Sequence, residues 1–162
     1  MKVLGIDPGT AACGFGVIRE SGGRLRALDH GWWQTSPSQP QAVRLKAIFD
    51  GVTDSVGRHA PDAVALEESF VGADARIALS VGQARGAVLV ACAVAGVDCA
   101  EYAPNRVKKA VCGYGLADKE QVKRMVRTIL GLAEPLVSTH AADALAVAIC
   151  HALASPLLKA AG

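Results

Sequence analysis

Aromatic side chains and net charge are both scarce in this chain of 162 residues. Aromatic residues make up only 4% of it, so alanine, valine and leucine have to fill most of the core. The formal net charge is +2, which by itself neither indicates nor excludes a polyanionic partner. Because 51% of the residues are apolar, the composition predicts a packed globule and excludes a largely disordered chain. The length predicts a single domain over residues 1–162.

Closely spaced cysteine pairs and long apolar runs are also missing. The five cysteines are odd in number and contain no C-x-x-C pair, which argues against a disulfide framework and against a zinc knuckle. The longest apolar stretch, residues 86–97, is too short to span a bilayer, and the first residues form a strand and not a signal peptide. We therefore expect a soluble, cytoplasmic protein with no membrane partner and with cysteines that act as small apolar residues.

Positive charge is concentrated in one part of the chain. Residues 102–127 contain seven basic and two acidic side chains, a local charge of +5, so the remainder carries −3. Such a patch is able to face a polyanion although the whole chain is nearly neutral. The alternative from charge alone is a solvated helix face.

The order of apolar patterns predicts an α/β fold. The predicted strands span residues 2–7, 14–20, 24–35, 63–67 and 97–102. The predicted helices span residues 41–58, 74–95, 104–112, 119–131 and about 140–153. Gly22-Gly23 is a hairpin turn, Gly96 ends a helix, and Asp118 with Gln121 has the spacing of a capping box. Three antiparallel strands followed by alternating helices and strands indicate one mixed sheet of about five strands.

Acidic and imidazole side chains occur at three places where the local pattern is apolar. Asp7 ends the first strand and Glu67 ends the fourth, while His140 and Asp143 share one face of the last helix at i and i+3. A buried carboxylate needs a hydrogen bond, a paired charge or a cation. The helix macrodipole would help Asp143 by only about 0.3–1 kcal/mol. The pattern therefore predicts a metal site of Asp7, Glu67, His140 and Asp143.

The donor types indicate which cation and which chemistry to expect. Carboxylate oxygens select Mg²⁺ or Mn²⁺, and one imidazole among them favours Mn²⁺ over Mg²⁺. Two such ions form the clamp that phosphodiester cleavage uses, with one generating the nucleophile and the other stabilising the leaving oxygen.

Each of the four residues also has a purely structural explanation. Asp7 could fix the following turn through an Asx-type hydrogen bond. Glu67 is followed by Glu68, and strand alternation leaves one of the two in solvent. His140 could be a loop or N-cap residue, and Asp143 an ordinary acid in the first turn of a helix. The metal site is predicted from their concurrence.

Four motifs together resemble the RuvC family of Holliday-junction resolvases in order and spacing. They are Gly-Ile-Asp-Pro-Gly-Thr at residues 5–10, Ala-Leu-Glu-Glu-Ser-Phe at 65–70, Gly-Gln-Ala-Arg-Gly at 82–86 and Ala-Ala-Asp-Ala-Leu-Ala at 141–146. The resemblance covers about residues 2–153. It implies a ribonuclease H-like fold, with helices on both faces of the sheet, and a homodimer that nicks two strands of a four-way DNA junction symmetrically. The nicks would leave 5′ phosphate and 3′ hydroxyl ends.

The resemblance also assigns roles to individual residues. The family's four metal-binding positions fall on Asp7, Glu67, His140 and Asp143, and the third of these is Asp in some members and His in others. A histidine there would favour Mn²⁺ and lower activity below about pH 6.5, where imidazole protonates. A branch-migration motor is a further partner implied by resemblance alone.

Further residues are candidates for DNA contact. The resemblance places an aromatic residue that stacks at the junction on Phe70, which could otherwise be a core residue. Lys108 and Lys119 match the family's DNA-contacting lysines, and Arg76 and Arg85 are additional candidates for phosphate contact. The helix over residues 74–95 has more apolar surface than one sheet face needs, which fits a homodimer.

Three other functions are compatible with part of the pattern. The first motif also resembles a phosphate loop of actin-like ATPases, but those proteins need two related halves. A different ribonuclease H-like nuclease, acting on RNA or on RNA–DNA hybrids, is a second alternative. A junction-binding module without catalysis is the third.

Overall fold

The computed structural model describes residues 1–68 and 74–160, with side chains through residue 154. In these residues five strands form one sheet in the order β3-β2-β1-β4-β5. The strands are β1 (Lys2–Asp7), β2 (Ala12–Ser21), β3 (Arg24–Gln34), β4 (Ala63–Glu67) and β5 (Cys99–Tyr102). β2 pairs antiparallel with β1 and with β3, whereas β4 is parallel to β1 and β5 is parallel to β4. The predicted mixed sheet of five strands is confirmed.

The described residues also contain five helices. They are α1 (Gln41–His59), α2 (Ala75–Ala95), α3 (Pro104–Cys112), α4 (Lys119–Leu130) and α5 (Thr139–Ala160). The capping box of Asp118 and Gln121 starts α4 as predicted, and Gly96 ends α2 in the left-handed conformation. The last helix runs seven residues beyond its predicted end, and β2 starts two residues earlier than predicted.

Helices cover both faces of the sheet and bury two separate clusters of apolar side chains. On one face α3, α4 and α5 pack on Val3, Ile18 and Ala65. On the other face α1 and α2 pack on larger side chains, which include Leu4, Ile6 and Leu66. Since successive strand residues alternate between faces, the odd-numbered residues of β1 and β4 point toward α5.

Glycine lets α5 approach the sheet closely. A Cβ atom on Gly5 would lie 2.0 Å from the carbonyl oxygen of Ala144, and one on Gly14 would lie 2.1 Å from that of His140. A Cβ atom on Gly16 would likewise overlap Leu145. These three glycines occupy neighbouring positions on β1 and β2, because Gly5 pairs with Gly16. The start of α5 is therefore held directly over the end of β1 that carries Asp7.

The long helix α2 exposes much of its apolar surface. By length and composition it could cross a membrane, with a hydropathy of 1.7 over a window that is only 22% buried. Uninterrupted apolar runs in the sequence did not identify this helix as long enough to span a bilayer. Ser80, Gln83 and Arg85 interrupt the apolar run, but they do not end the helix. Arg85, in the middle of α2, forms an ion pair with Glu101 on β5. The inner side of the helix packs against α1. The exposed side includes Leu79, Val90 and Val94.

Candidate active site

Two acidic residues stand side by side at one edge of the sheet. Ile6 pairs with Leu66 in the parallel register of β1 and β4, so Asp7 and Glu67 follow as neighbours at the carboxyl ends of the two strands. Both point toward α5 by alternation, and adjacent strands lie only about 4.8 Å apart. Glu67 is half-buried, whereas Glu68 is exposed. The alternation argument for these two glutamates is confirmed.

The first turn of α5 adds an imidazole and a third carboxylate to this edge. His140 Nδ1 lies 3.0 Å from Asp7 Oδ2, which joins the helix to β1. Asp7, Glu67, His140 and Asp143 all line one cleft of about 450 Å³. The structure therefore brings together the four residues that the sequence selected, although their roles remain predictions.

Mutual repulsion and burial disfavour the charged forms of two of these carboxylates. Burial, followed by the charges of Asp7 and Asp143, raises the pKa of Glu67 to about 8. Burial, followed by the charge of Asp7, raises the pKa of Asp143 to about 6. Lys108 and Lys119 act in the opposite direction on both groups. Burial and the closeness of the carboxylates thus favour a proton, or another cation, on Glu67 and Asp143.

His140 responds to the same carboxylates in the opposite sense. Its hydrogen bond to Asp7 raises the pKa of the imidazole above its ordinary value, and burial only partly opposes this. When Nδ1 carries a proton, the ring donates it to the Asp7 carboxylate, and this hydrogen bond ties the imidazole to Asp7 inside the cleft.

The donor set fits a hard divalent cation, but the side chains are not yet arranged around one. Within residues 1–68 and 74–160, no three histidine, cysteine, aspartate or glutamate side chains converge closely enough to hold a metal ion. Three carboxylates and an imidazole nevertheless face one cleft, and the raised pKa values of Glu67 and Asp143 show that added positive charge would be favourable there. Rotation of side chains, including release of His140 from Asp7, would complete such a site.

The candidate DNA-contacting residues lie in different parts of the molecule. Lys108 and Lys119 line the same cleft as the carboxylates. Arg76 and His140 line a neighbouring groove of about 360 Å³ between the loop after β1 and the start of α2. Arg85 is instead paired with Glu101 on β5 and is not among the residues that line the cleft. Phe70 lies outside the described residues.

Two contacts at this site were not anticipated from the sequence. The first is the hydrogen bond between His140 and Asp7, which depends on the exact position of α5. The second is the set of close contacts at Gly5, Gly14 and Gly16 that determines this position. The sequence signal that could have revealed them is the alternation of glycine in two apolar strands, which marks close approach of another backbone.

Sheet order, helices on both faces and a carboxylate cleft at the ends of the central strands define a nuclease of the ribonuclease H-like class. The predicted fold class is confirmed by likeness to solved structures of such enzymes. The yeast mitochondrial Holliday junction resolvase has a TM-score of 0.70 over 98% of this chain and 82% of its own, at 12% identity, which shows the shared fold alone.

More similar proteins identify the family to which this chain belongs. The family model for crossover junction endodeoxyribonuclease RuvC matches residues 3–151, and the chain belongs to this family of metal-dependent nucleases. The enzyme of that name from Chloroflexus aggregans is 50% identical over 98% of this chain and 97% of its own. The structure of Thermus thermophilus RuvC in complex with a Holliday junction substrate has a TM-score of 0.93 at 43% identity, covering 98% of this chain and 97% of that one. Membership sets aside the ATPase alternative.

Proposed function

We propose that this endodeoxyribonuclease resolves four-way DNA junctions by hydrolysing one phosphodiester bond at each of two symmetry-related cleft sites. The observation that carries the proposal is the convergence of three carboxylates, one imidazole and two lysines on a single cleft. The T. thermophilus protein that was solved with a Holliday junction resembles this chain over nearly its whole length, which supports a junction as the substrate.

In this proposal some residues of the cleft bind the phosphate and others bind the metal. Lys108 and Lys119 would hold the scissile phosphate, and their position in the lining of the cleft, on the α3–α4 side, supports this role. Asp7, Glu67, Asp143 and His140 would hold one or two Mg²⁺ or Mn²⁺ ions. When bound, such ions supply an activated water and stabilise the charge on the leaving oxygen. Glu67 has to give up its proton and His140 its hydrogen bond to Asp7 before all four donors are available.

The histidine in the donor set makes Mn²⁺ the favoured ion in this proposal. Imidazole is a better ligand for Mn²⁺ than for Mg²⁺. Protonation of His140 competes with any metal, and its hydrogen bond to Asp7 strengthens that competition. Cleavage is therefore expected to weaken at acidic pH more strongly in Mg²⁺ than in Mn²⁺.

The exposed side of α2 is the surface proposed for the homodimer. Val94 is 70% exposed and Leu79 66% exposed, and both belong to an apolar helix face that nothing in the described chain covers. A two-fold partner would cover it and would provide two clefts for two scissile phosphates. Substituting Val94→Glu should shift the protein toward monomer in sedimentation, whereas Val137→Glu, 90% exposed but outside α2, should not. Equal sedimentation of wild type and Val94→Glu as monomers would refute the dimer.

Two further parts of the proposal rest on family resemblance. A branch-migration motor complex is the expected protein partner, and the cytoplasm, in contact with DNA, is the expected location.

A nicking assay tests the proposed function. Wild-type protein and Asp7→Asn are mixed with a mobile four-way junction, a linear duplex of the same sequence and an RNA–DNA hybrid, each in Mg²⁺, Mn²⁺ and EDTA. Paired nicks in the junction alone, lost in EDTA and in Asp7→Asn while junction binding persists, are the expected result. Preferential cleavage of the hybrid would indicate another ribonuclease H-like nuclease. Tight junction binding without cleavage in either metal would indicate a non-catalytic binding module.

A further inference from the structure

The β2–β3 hairpin lies at the end of the sheet opposite the catalytic cleft. Its turn is formed by Gly22 and Gly23, with φ of 58° and 79°. Lys2, at the start of β1, pairs with Arg19 near this turn, whereas Asp7 is at the other end of β1. At roughly 3.3 Å per residue, the hairpin is about 17 Å from the catalytic edge along the strand.

Three arginines and a serine hydroxyl line a cavity at this end of the sheet. The cavity has a volume of about 480 Å³ and is lined by Arg19, Ser21, Arg24, Arg26 and Leu28. All three arginines are exposed to solvent. None of them belongs to the basic segment that the sequence singled out between residues 102 and 127.

The register of the sheet forces two of these charges against each other. Arg19 on β2 is directly opposite Arg26 on β3, and Lys2 on β1 is directly opposite Arg19. Directly opposite residues share a face with Cβ atoms only about 4.5–5.5 Å apart, and like charges in such positions are destabilising. Lys2 directs its ammonium to the carbonyl oxygen of His59, so the arginines are the groups left to meet a ligand.

Three carboxylates on or beside the strands of this hairpin and β1 already have other partners. Glu20 accepts from the backbone N–H of Gly23 at 3.0 Å and lies 3.9 Å from the terminal amine. Asp29 lies 3.0 Å from His59 Nε2, and Asp62 accepts from the backbone N–H of Lys2 at 2.6 Å. Among the residues that the structure describes, none pairs with Arg19, Arg24 or Arg26. The positive charge of the cavity therefore remains uncompensated.

Protection of an edge strand does not account for this arrangement. β3 is one of the two edge strands of the sheet, and charged side chains on an edge discourage pairing with other chains. Arg19, however, lies on β2, which is paired on both sides and needs no such protection. A concave surface with a hydroxyl among the arginines is also more than edge protection requires.

Guanidinium groups bind phosphate oxygens in a bidentate manner, and a cluster of them is typical of phosphate recognition. We propose that Arg19, Arg24 and Arg26 form a second anion site, separate from the catalytic cleft, that takes phosphate groups of a polyanion. These phosphates come either from a nucleic-acid backbone or from a free polyphosphate. Because the site lies at the opposite end of the sheet, its occupant is not the phosphate that is cleaved.

The experiment uses the full-length protein in EDTA, where no cleavage occurs. Heteronuclear NMR follows the backbone amides of the hairpin during titration with pyrophosphate, with a short linear duplex and with a polyglutamate peptide. Each titration is repeated with Arg24→Gln/Arg26→Gln and with the control Lys46→Gln, which removes an exposed charge from α1. Nicking of a four-way junction with short arms is measured for all three proteins.

The expected result is a shift of the hairpin amides with duplex or pyrophosphate that disappears in the double variant and persists in Lys46→Gln. Binding of both probes, or of pyrophosphate alone, assigns a site for free polyphosphate. Binding of the duplex alone assigns a backbone contact. The slope of log duplex affinity against log salt concentration should then be smaller in the double variant, by about one to two. Nicking of the short-armed junction should be unchanged, which separates this proposal from the catalytic one. Shifts with polyglutamate alone, or with no probe, would overturn it.

Discussion

Helix α5 and the pair α1 and α2 cover opposite faces of the same sheet, but they rest on it differently. α1 and α2 pack on leucine, isoleucine and valine side chains, as helices on a sheet ordinarily do. α5 lies directly against the backbone of β1 and β2, where Gly5, Gly14 and Gly16 leave room for it. This second face carries the carboxylates and the imidazole that line the catalytic cleft. The candidate site therefore depends on how closely one helix approaches the sheet, as well as on the four donor residues.

The largest effect is expected from removing a donor on the α5 face. Glu67→Gln keeps the shape of the side chain but removes its charge, so cleavage should fall by about a thousandfold or more while junction binding persists. Glu68→Gln is the matched control, because Glu68 is exposed and adjacent in sequence. Equal cleavage rates for the two variants would show that Glu67 is not part of the active site.

A slightly smaller effect is expected from altering the approach of α5 without touching a donor. Gly5→Ala places a Cβ atom 2.0 Å from the Ala144 carbonyl oxygen, so α5 must shift and the protein should lose about 1–3 kcal/mol of stability. Cleavage should fall with it, since His140 and Asp143 move with the helix. Gly57→Ala in α1, where a Cβ atom meets nothing within 4 Å, should leave cleavage unchanged and preserve or raise stability.

The stability of the metal-free protein should depend on pH through the titratable groups on the α5 face. The folded protein keeps protons on Glu67 (pKa about 8) and Asp143 (pKa about 6) that the unfolded chain releases at lower pH. The metal-free protein should therefore lose stability as the pH rises from about 4 to about 8, and the hydrogen-bonded His140 adds to the loss in the same direction. Thermal unfolding in EDTA should show a weaker loss for Glu67→Gln than for wild type. Added Mn²⁺ should raise the unfolding temperature more at the upper end of this range, and an equal increase at both ends would contradict the account.

The smallest effect is expected at the capping box of α4. Asp118→Ala removes the acceptor for the backbone N–H of Gln121 and should lower stability by about 1 kcal/mol. Junction affinity should weaken slightly, because Lys119 begins the helix that is capped. Urea unfolding and junction binding check both, and Asp118→Asn, which keeps a capping oxygen, should restore stability. A loss as large as that of Gly5→Ala would mean that α4 contributes more to the site than its position suggests.

The sequence predicted the elements and the donors because both depend on local patterns. Alternation and helical periodicity located the strands and helices, and Asp7, Glu67, His140 and Asp143 stood out against apolar surroundings. The distance between these donors depends on packing between residues more than a hundred positions apart, which periodicity does not encode. Arg19 and Arg26, in contrast, are only seven positions apart, and the two-residue turn at Gly22-Gly23 sets their register. Their pairing could therefore have been predicted from the hairpin, since the bulge between Val17 and Ile18 lies beyond it.

The most direct test of the central claim is Mn²⁺ binding followed by pulsed electron paramagnetic resonance. Wild type, Gly5→Ala, Gly57→Ala and Asp143→Asn are titrated with Mn²⁺, and the spectrum is searched for coupling to an imidazole nitrogen. The account predicts tight binding with nitrogen coupling in wild type and Gly57→Ala, and weakened binding in both Gly5→Ala and Asp143→Asn. Full binding with nitrogen coupling in folded Gly5→Ala would contradict the claim that the approach of α5 assembles the site.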